Sequence, residues 1–332
     1  MIALTVVVAL AFAFVLGVSD APNATAALVG THAARYRPAA AFSFVFHVAG
    51  GVLGGSAVAV TIGTLLDLTG NDLVVAYAAG CLAAVVFTLL AARVGLPTSA
   101  SFGLVGGLVG AGLVSGGLGA VAWGGVEGLR PTGVGGILAW MVVSPLIGVV
   151  LAAALRAAMS RALRRVTRRA LGPIRAGIWI SAAAVAFSDG TNDGQKAMGV
   201  ITGALVAGGA QARFSIPTWA RLTVAVVLAT GTAVGGRRLI RTVGRRLYRQ
   251  RSPDGLAAQC ASAISVLTAA ALGAPVSTAS VVAGSVVGVG LAQRRRHVHW
   301  PVVRSTLSAW CLTLPVCAAL GAAAVPLLRV VA

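Results

Sequence analysis

The apolar positions of this chain come in long runs that polar residues rarely interrupt. Six of these runs are long enough, or nearly so, to cross about 30 Å of hydrocarbon as an α-helix. They occupy residues 2–18, 39–66, 73–92, 134–155, 219–236 and 305–331. Because lipid offers no hydrogen-bond partner to backbone N–H and C=O groups, the runs predict an all-α polytopic membrane protein. The first run lacks a basic n-region and a clear cleavage site, so we interpret it as a span and not as a removable signal peptide.

Composition and charge support this interpretation. The 332 residues are 58% hydrophobic and 10% charged, and the mean hydropathy is +0.93. The net charge of +19 comes largely from arginines in three stretches between apolar runs, residues 156–175, 237–251 and 294–304. Arginine in short loops is the positive-inside signal, which predicts that these loops are cytoplasmic in a multi-pass protein of the cell membrane. The stretches lack the row of aromatic residues that a stacking platform needs, so we do not expect nucleic acid as a partner.

Two pairs of motifs indicate an internal duplication. GVSDAPNATAALVGT (17–31) is echoed by FSDGTNDGQKAMG (187–199), with Asp20 and Asp193 173 residues apart. GLPTSASFGLVGGLVGAGL (95–113) is echoed by GAPVSTASVVAGSVVGVGL (273–291), at an offset of 178 residues. One polar interruption early and one late in each half is typical of secondary transporters. We therefore predict a first transmembrane repeat over 1–155, an arginine-rich linker over 156–176, and a second repeat over 177–332 that contains an arginine-rich loop at 237–255.

The later motif of each half combines helix breakers with hydroxyl groups. The hydroxyls belong to Thr98, Ser99 and Ser101 in the first half and to Ser277, Thr278 and Ser280 in the second. Unwound backbone at membrane depth is tolerated where protein buries it or where it lines a wet cavity, which favours a binding site. The alternative is that these hydroxyls bond to carbonyls of their own helix. The glycine pairs that follow, such as Gly106/Gly110 and Gly284/Gly288, predict close helix packing.

Three of the seven acidic residues lie within otherwise apolar or amide-rich segments. The other four fall in predicted turns or loops, where we expect them to be solvated: Asp67, Asp72, Glu127 and Asp254. A carboxylate near the bilayer centre costs roughly 2.5 to 3.5 kcal/mol, so Asp20, Asp189 and Asp193 are candidates for function. Lys196, the only lysine, could contact an anion directly, or it could form a salt bridge with Asp189 or Asp193.

The donor set of these motifs suits a cation and an oxyanion together. Hard cations such as Na⁺ take oxygen ligands from carboxylates, amides, hydroxyls and freed carbonyls, whereas an oxyanion uses amide and hydroxyl donors and helix N-termini. Bound cations would neutralise Asp20 and Asp193 and allow an oxyanion between them. Protonated aspartates would do the same and would couple transport to H⁺.

At these motifs the chain resembles the inorganic phosphate transporter (PiT) family of membrane symporters, over essentially its whole length. The resemblance implies an inverted-repeat fold of about ten to twelve membrane segments with broken helices or hairpins. It also implies a central phosphate site with cations beside it, and cotransport with Na⁺ or H⁺, sometimes with phosphate carried as a neutral metal complex.

The resemblance assigns roles to individual positions. Substrate binding falls to Asn23, Ser99, Asn192, Gln195, Ser277 and Thr278. Cation or proton coupling falls to Asp20, Asp193 and the neighbouring Ser19. Asp189, Lys196, Thr98, Ser101 and Ser280 could belong either to the site or to its scaffold.

The chain departs from the family pattern at several positions. Ser19 stands where the family has asparagine, Asp189 where it often has histidine, and Phe102 and Ser280 where a histidine often ends the later motif. These departures leave the coupling ion and the anion preference open.

These observations lead to the hypothesis of a secondary active transporter that imports inorganic phosphate by cation-coupled alternating access. The alternatives are a sulfate:cation symporter of the same fold and, more remotely, an ion channel. Phosphate near pH 7 still carries a proton that it can donate to a carboxylate, whereas sulfate does not, which favours phosphate. We expect no enzymatic activity, because His32, His47, His297 and His299 do not accompany a nucleophile motif and no Gly-rich phosphate loop with Lys-Ser/Thr occurs.

We expect no cofactor beyond the coupling ion. The expected partners are phosphate, alone or with a divalent metal, the coupling cation and the lipid bilayer. A homodimer is an open alternative.

Overall fold

The computed structural model describes residues 1–94, 96, 98–162, 171–243, 252–293, 298 and 300–331. The helices are α1 (Ile2–Gly30), α2 (Tyr36–Leu53), α3 (Ala57–Gly63), α4 (Gly70–Val94), α5 (Ala100–Gly116), α6 (Gly133–Ala162), α7 (Leu171–Ala207), α8 (Thr218–Val243), α9 (Ser252–Ala271), α10 (Thr278–Gln293) and α11 (Trp300–Val331). One short hairpin of β1 (Val126–Glu127) and β2 (Arg130–Pro131) joins α5 to α6. The three arginine-rich stretches lie partly outside the described residues, at 163–170, 244–251 and 294–297.

The predicted all-α membrane architecture is confirmed. In the described part of the chain, six helices are long and apolar enough to cross a membrane: α1, α4, α6, α8, α9 and α11. The predicted run 39–66 is broken, since α2 and α3 meet at an angle of 69° and together supply up to one further span. The longest helix, α7, is not among the six, and its middle carries Asp189, Asp193 and Lys196.

The helices that carry the two early motifs run in opposite directions. Met1 and Ile2 at the start of α1 lie beside Ala207 and Gly208 at the end of α7. At the other end of the pair, the Arg175 guanidinium at the start of α7 donates to the His32 carbonyl just after α1. An antiparallel arrangement of equivalent helices is what an inverted repeat requires.

The helices that carry the two late motifs form hairpins that enter from opposite ends of the molecule. The open end of the α4/α5 hairpin, opposite its tip near Ser99, lies on the side of Met1. The evidence is that the Thr5 hydroxyl at the start of α1 donates to the Val74 carbonyl of α4. The open end of the α9/α10 hairpin, opposite its tip near Ser277, lies on the side of Arg175, because Leu256 of α9 packs against Gly177 of α7. The predicted inverted-repeat fold with broken helices and hairpins is therefore confirmed.

Small residues bring these helices close together, as the glycine pairs predict. A Cβ atom at Gly106 or Gly110 would collide with the backbone of α11 at Leu314 and Ala318. A Cβ at Gly284 or Gly288 would collide with the backbone of α6 at Pro145 and Val149. The glycines thus allow α5 and α10 to pack backbone to backbone against their neighbours.

One of the four acidic residues that we expected to be solvated is buried. Asp254, at the start of α9, is 0% exposed. It accepts a hydrogen bond of 2.5 Å from Arg156 Nε on α6 and one of 2.6 Å from Gln293 Nε2 on α10. The expectation for Asp254 was wrong because its position in a charged stretch concealed partners on two other helices, whereas Asp67, Asp72 and Glu127 are exposed as expected.

Candidate functional site

Each early motif pairs its aspartate with the residue three positions later, on the same helix face. On α1, Asn23 Nδ2 lies 3.3 Å from Asp20 Oδ1. On α7, Lys196 Nζ lies 2.5 Å from Asp193 Oδ1. Asn23 and Lys196 are equivalent at the offset of 173 residues, so one repeat places an amide where the other places an ammonium group.

The late motifs meet at the tips of the two hairpins. The Ser99 hydroxyl donates to Ser277 Oγ at 2.8 Å, and the Ser280 hydroxyl donates to the same oxygen at 2.7 Å. Helix α5 begins directly after Ser99 and helix α10 directly after Ser277. Two helix N-termini therefore point into one place, where their free N–H groups and dipoles favour a negative charge.

Further hydrogen bonds join the early and late motifs into one cluster. Lys196 Nζ donates to Ser101 Oγ at 2.7 Å and to the Val276 carbonyl at 2.5 Å. The Thr278 hydroxyl donates to Asp193 Oδ2 at 3.0 Å. Asn23 Nδ2 lies 3.4 Å from Thr278 Oγ1, so residues of α1, α5, α7 and α10 share one network.

The cluster is buried and rich in carboxylates. Asp20 and Asn23 are 5% and 9% exposed, and its other members are less exposed. Asp189 joins the edge of the cluster, where its Oδ2 lies 3.3 Å from Asn23 Nδ2. Three carboxylates thus share a single ammonium group, that of Lys196. Buried carboxylates in this ratio require bound cations or protons for charge balance.

The amides of Asn192 and Gln195 face backbone groups instead of the hydroxyl cluster. Asn192 donates to the Ala274 carbonyl at 2.9 Å and accepts from the Val276 N–H at 3.3 Å, in the unwound tip of the α9/α10 hairpin. Gln195 accepts from the Val58 N–H at 2.9 Å and donates to the Gly54 carbonyl at 2.8 Å. These contacts satisfy backbone groups that the broken helices leave free. A role of either amide in substrate binding stays a prediction.

Two other predicted residues lie apart from the cluster. The Ser19 hydroxyl donates to the Val15 carbonyl of its own helix at 3.0 Å. Thr98 lines a separate groove of about 190 Å³ with Phe87, Leu96 and residues of α11. The structure therefore brings together Asp20, Asn23, Ser99, Ser101, Asp189, Asp193, Lys196, Ser277, Thr278 and Ser280.

His47 is the residue beside this cluster that sequence reasoning missed. It lies on α2, is 1% exposed, and has its Nε2 4.0 Å from Asp189 Oδ2. In the sequence it is a single histidine inside an apolar run, with nothing to connect it to a motif 142 positions away. The signal that could have found it is the presence of an ionisable residue inside a predicted membrane span, which is by default a candidate for function.

Several known proteins resemble this chain over nearly its whole length. The model of a family described as the phosphate transporter family matches residues 16–171 and 164–321, one match in each half of the chain. A protein of Mycobacterium tuberculosis (strain ATCC 25618 / H37Rv), named "Probable low-affinity inorganic phosphate transporter", is 36% identical over 96% of this chain and 75% of its own length. A protein of Bacillus subtilis (strain 168) with the same name is 31% identical over 99% of this chain and 97% of its own length.

A solved structure supports the fold. A structure described as "The sodium-dependent phosphate transporter" superposes with a TM-score of 0.86 at 22% identity. The match covers 100% of this chain and 99% of that one. At this identity the likeness concerns the fold.

Proposed function

The chain belongs to the phosphate transporter family, and from that premise we propose that it imports inorganic phosphate by cation-coupled alternating access, with the buried cluster as its transport site. The observation that carries the proposal is the Ser99–Ser277 hydrogen bond of 2.8 Å. It joins the tips of two hairpins at the place where the carboxylates of both repeats converge. A single site built from equivalent residues of two inverted repeats is the arrangement that alternating access uses.

The site offers donors for an oxyanion. The N-termini of α5 and α10 supply N–H groups, and Ser99, Ser277 and Thr278 supply hydroxyls. Lys196 adds a compact positive charge beside Ser101 at 2.7 Å. We assign phosphate binding to these groups and to Asn23, whose amide lies between the two early motifs.

The carboxylates favour phosphate over sulfate. An anion that enters the cluster lies near Asp20, Asp189 and Asp193, and a protonated phosphate oxygen can donate to one of them. Sulfate carries no such proton near pH 7, so its oxygens could only accept and would find no donor among ionised aspartates. The names of the relatives point to the same substrate.

We assign cation coupling to Asp20 and Asp193. Together with Thr278 Oγ1 and the Val276 carbonyl, which accepts from Lys196 and makes no helical bond among the described residues, they form the oxygen-rich part of the cluster. Oxygen ligands of this kind suit Na⁺, and the same carboxylates can take up H⁺. The structural neighbour is described as sodium-dependent.

Movement of the two hairpins relative to α1 and α7 would expose the site alternately. The hairpins open on opposite ends, so displacement of one tip opens a path on one side while the other stays packed. We propose that the end bearing Arg175 is cytoplasmic, because the arginine-rich stretches 156–175, 237–251 and 294–304 follow the positive-inside rule. We keep the predicted division into a first repeat over 1–155, a linker over 156–176 and a second repeat over 177–332.

Uptake of labelled phosphate into proteoliposomes tests the proposal. We expect saturable uptake that follows an imposed cation gradient and that unlabelled phosphate inhibits. Inhibition by sulfate and not by phosphate would favour the sulfate symporter, whereas ohmic single-channel currents would favour a channel.

A further inference from the structure

His47 and Asp189 form a buried pair beside the proposed phosphate site. Nε2 of His47 lies 4.0 Å from Oδ2 of Asp189, and each side chain is 1% exposed. Among the described residues, neither His47 Nε2 nor Asp189 Oδ1 has a hydrogen-bond partner. Unpartnered buried polar atoms are costly, so two of them on one adjacent pair call for a physical explanation.

The other nitrogen of His47 fixes the tautomer of the ring. Nδ1 lies 2.8 Å from the Ser43 carbonyl oxygen one turn earlier on α2. Nδ1 also lies 3.2 Å from the Ser43 hydroxyl, which can accept from the same N–H. Because a carbonyl oxygen only accepts, the 2.8 Å contact places the hydrogen on Nδ1 and leaves Nε2 of the neutral ring as an acceptor. When Asp189 is ionised, its carboxylate also only accepts, so the two facing atoms cannot form a hydrogen bond. One added proton, on Asp189 or on Nε2, converts the pair into a donor and an acceptor.

The pair is connected to the phosphate site through Asn23. The Asn23 amide lies 3.3 Å from Asp189 Oδ2, 3.3 Å from Asp20 Oδ1 and 3.4 Å from Thr278 Oγ1. A change in the charge of Asp189 therefore acts on a group that also contacts the tip of the α9/α10 hairpin. The backbones of α2 and α7 touch at His47 and Gly190, so a small shift between these helices changes the His47–Asp189 distance.

Few other charges face the pair. On α1 there is Asp20, and on α7 itself there are Asp193 and Lys196. The charged residues with described side chains on the neighbouring helices α8 and α9 are Arg221 and Asp254, which lie at helix ends. Among the described residues around the pair, carboxylates therefore outnumber cationic groups.

We propose that His47 and Asp189 together bind a proton that is carried with phosphate, so that a proton gradient drives this chain. The proposal rests on the proposed function, because it assigns a coupling ion to that transport cycle. One N–H or O–H bond forms when the proton enters from one side, and the same bond breaks when it leaves on the other. Asp20 and Asp193 remain the groups for the cation within the cluster.

Accumulation of labelled phosphate by the full chain in proteoliposomes tests this assignment. The membrane potential is held at zero, Na⁺ is equal on both sides, and the outside is more acidic by about one pH unit, which can concentrate phosphate by about tenfold for each coupled proton. We expect the wild type to accumulate phosphate under these conditions. His47→Asn keeps a donor for the Ser43 carbonyl but removes the nitrogen that shares the proton with Asp189, so accumulation should fall well below that of the wild type while phosphate exchange at equal pH persists.

Two further variants complete the test. Asp189→Asn should also lose accumulation, and its phosphate exchange should be slower because Asn23 loses a charged acceptor. If His47→Asn does not fold, the accumulation by Asp189→Asn tests the proposal. His32→Asn, at the end of α1, is the matched control and should behave as the wild type. Undiminished accumulation by both site variants overturns the proposal. So does a wild type that only a Na⁺ gradient drives, although phosphate import would then stand. Absence of any phosphate exchange by the wild type would instead reject the proposed function itself.

Discussion

The Ser99 hydroxyl donates a hydrogen bond of 2.8 Å to Ser277 Oγ, although 178 residues separate the two serines. The same offset separates Pro97 from Pro275, so the serines are equivalent positions of the two repeats. Equivalent residues of an inverted repeat can touch only near the axis that relates the two halves. The bond therefore lies near that axis, at the junction between the two hairpins.

Removal of either serine hydroxyl should weaken phosphate binding. We expect Ser99→Ala and Ser277→Ala each to raise the KM for uptake, with the larger effect at Ser277, which also accepts from Ser280. Because the two hydroxyls touch, the double variant should deviate from additivity by about 0.5–3 kcal/mol. Ser160→Ala, at an exposed hydroxyl of α6, is the control. A double variant with the wild-type KM would show that phosphate binds elsewhere.

Neutralisation of the paired aspartates should abolish transport. We expect Asp20→Asn and Asp193→Asn to remove most phosphate uptake while the protein remains inserted, because each loses a cation ligand or proton site. Initial uptake rates, normalised to inserted protein, measure the effect. Asp72→Asn, at an exposed aspartate paired with Arg329, is the control and should transport normally. Near-normal uptake by both site variants would rule out the assigned roles.

Asp193→Asn should also lower stability, because it leaves the Lys196 ammonium buried without its carboxylate. The cost of such an unpaired charge is about 3–5 kcal/mol. Addition of Lys196→Met should recover most of the thermal stability measured in detergent, but not the transport. Recovery of transport by this double variant would mean that the salt bridge matters only for folding.

Gln195 should matter first for the break between α2 and α3. Its amide oxygen accepts from the Val58 N–H at 2.9 Å, and its amide nitrogen donates to the Gly54 carbonyl at 2.8 Å. We expect Gln195→Ala to lower the free energy of unfolding by about 1–3 kcal/mol, since buried backbone groups lose their partners. Thermal unfolding measures the stability, and the KM of the folded fraction shows whether the amide also contacts phosphate. Unchanged stability with a raised KM would make Gln195 a binding residue alone.

The Asp254 carboxylate should stabilise the open end of the α9/α10 hairpin and its contact with α6. Asp254→Ala leaves Arg156 and Gln293 without the acceptor they share, so we expect a loss of about 2–5 kcal/mol in the free energy of unfolding. The combination with Arg156→Met should recover part of that loss. A stable Asp254→Ala variant would show that the interaction contributes little.

The sequence predicted which residues meet in the cluster better than the contacts that they make there. The duplicated motifs selected Asp20, Asn23, Ser99 and Asp193 as candidates because two copies of a rare polar pattern stand out in an apolar chain. Sequence could not show which groups the amides would face, since Gln195 meets a helix break that lies 137 residues earlier in the chain.

The same limit explains what was missed. His47 and Asp254 have partners on other helices, and only the packing of those helices brings the partners near. A local motif does not record such long-range contacts.

The most direct measurement is a structure of the protein determined with phosphate and the coupling cation present. We expect phosphate between the N-termini of α5 and α10, in contact with Ser99 and Ser277, and cation density at Asp20 and Asp193 when Na⁺ is the coupling ion. Phosphate bound away from both hairpin tips would contradict the proposed transport site.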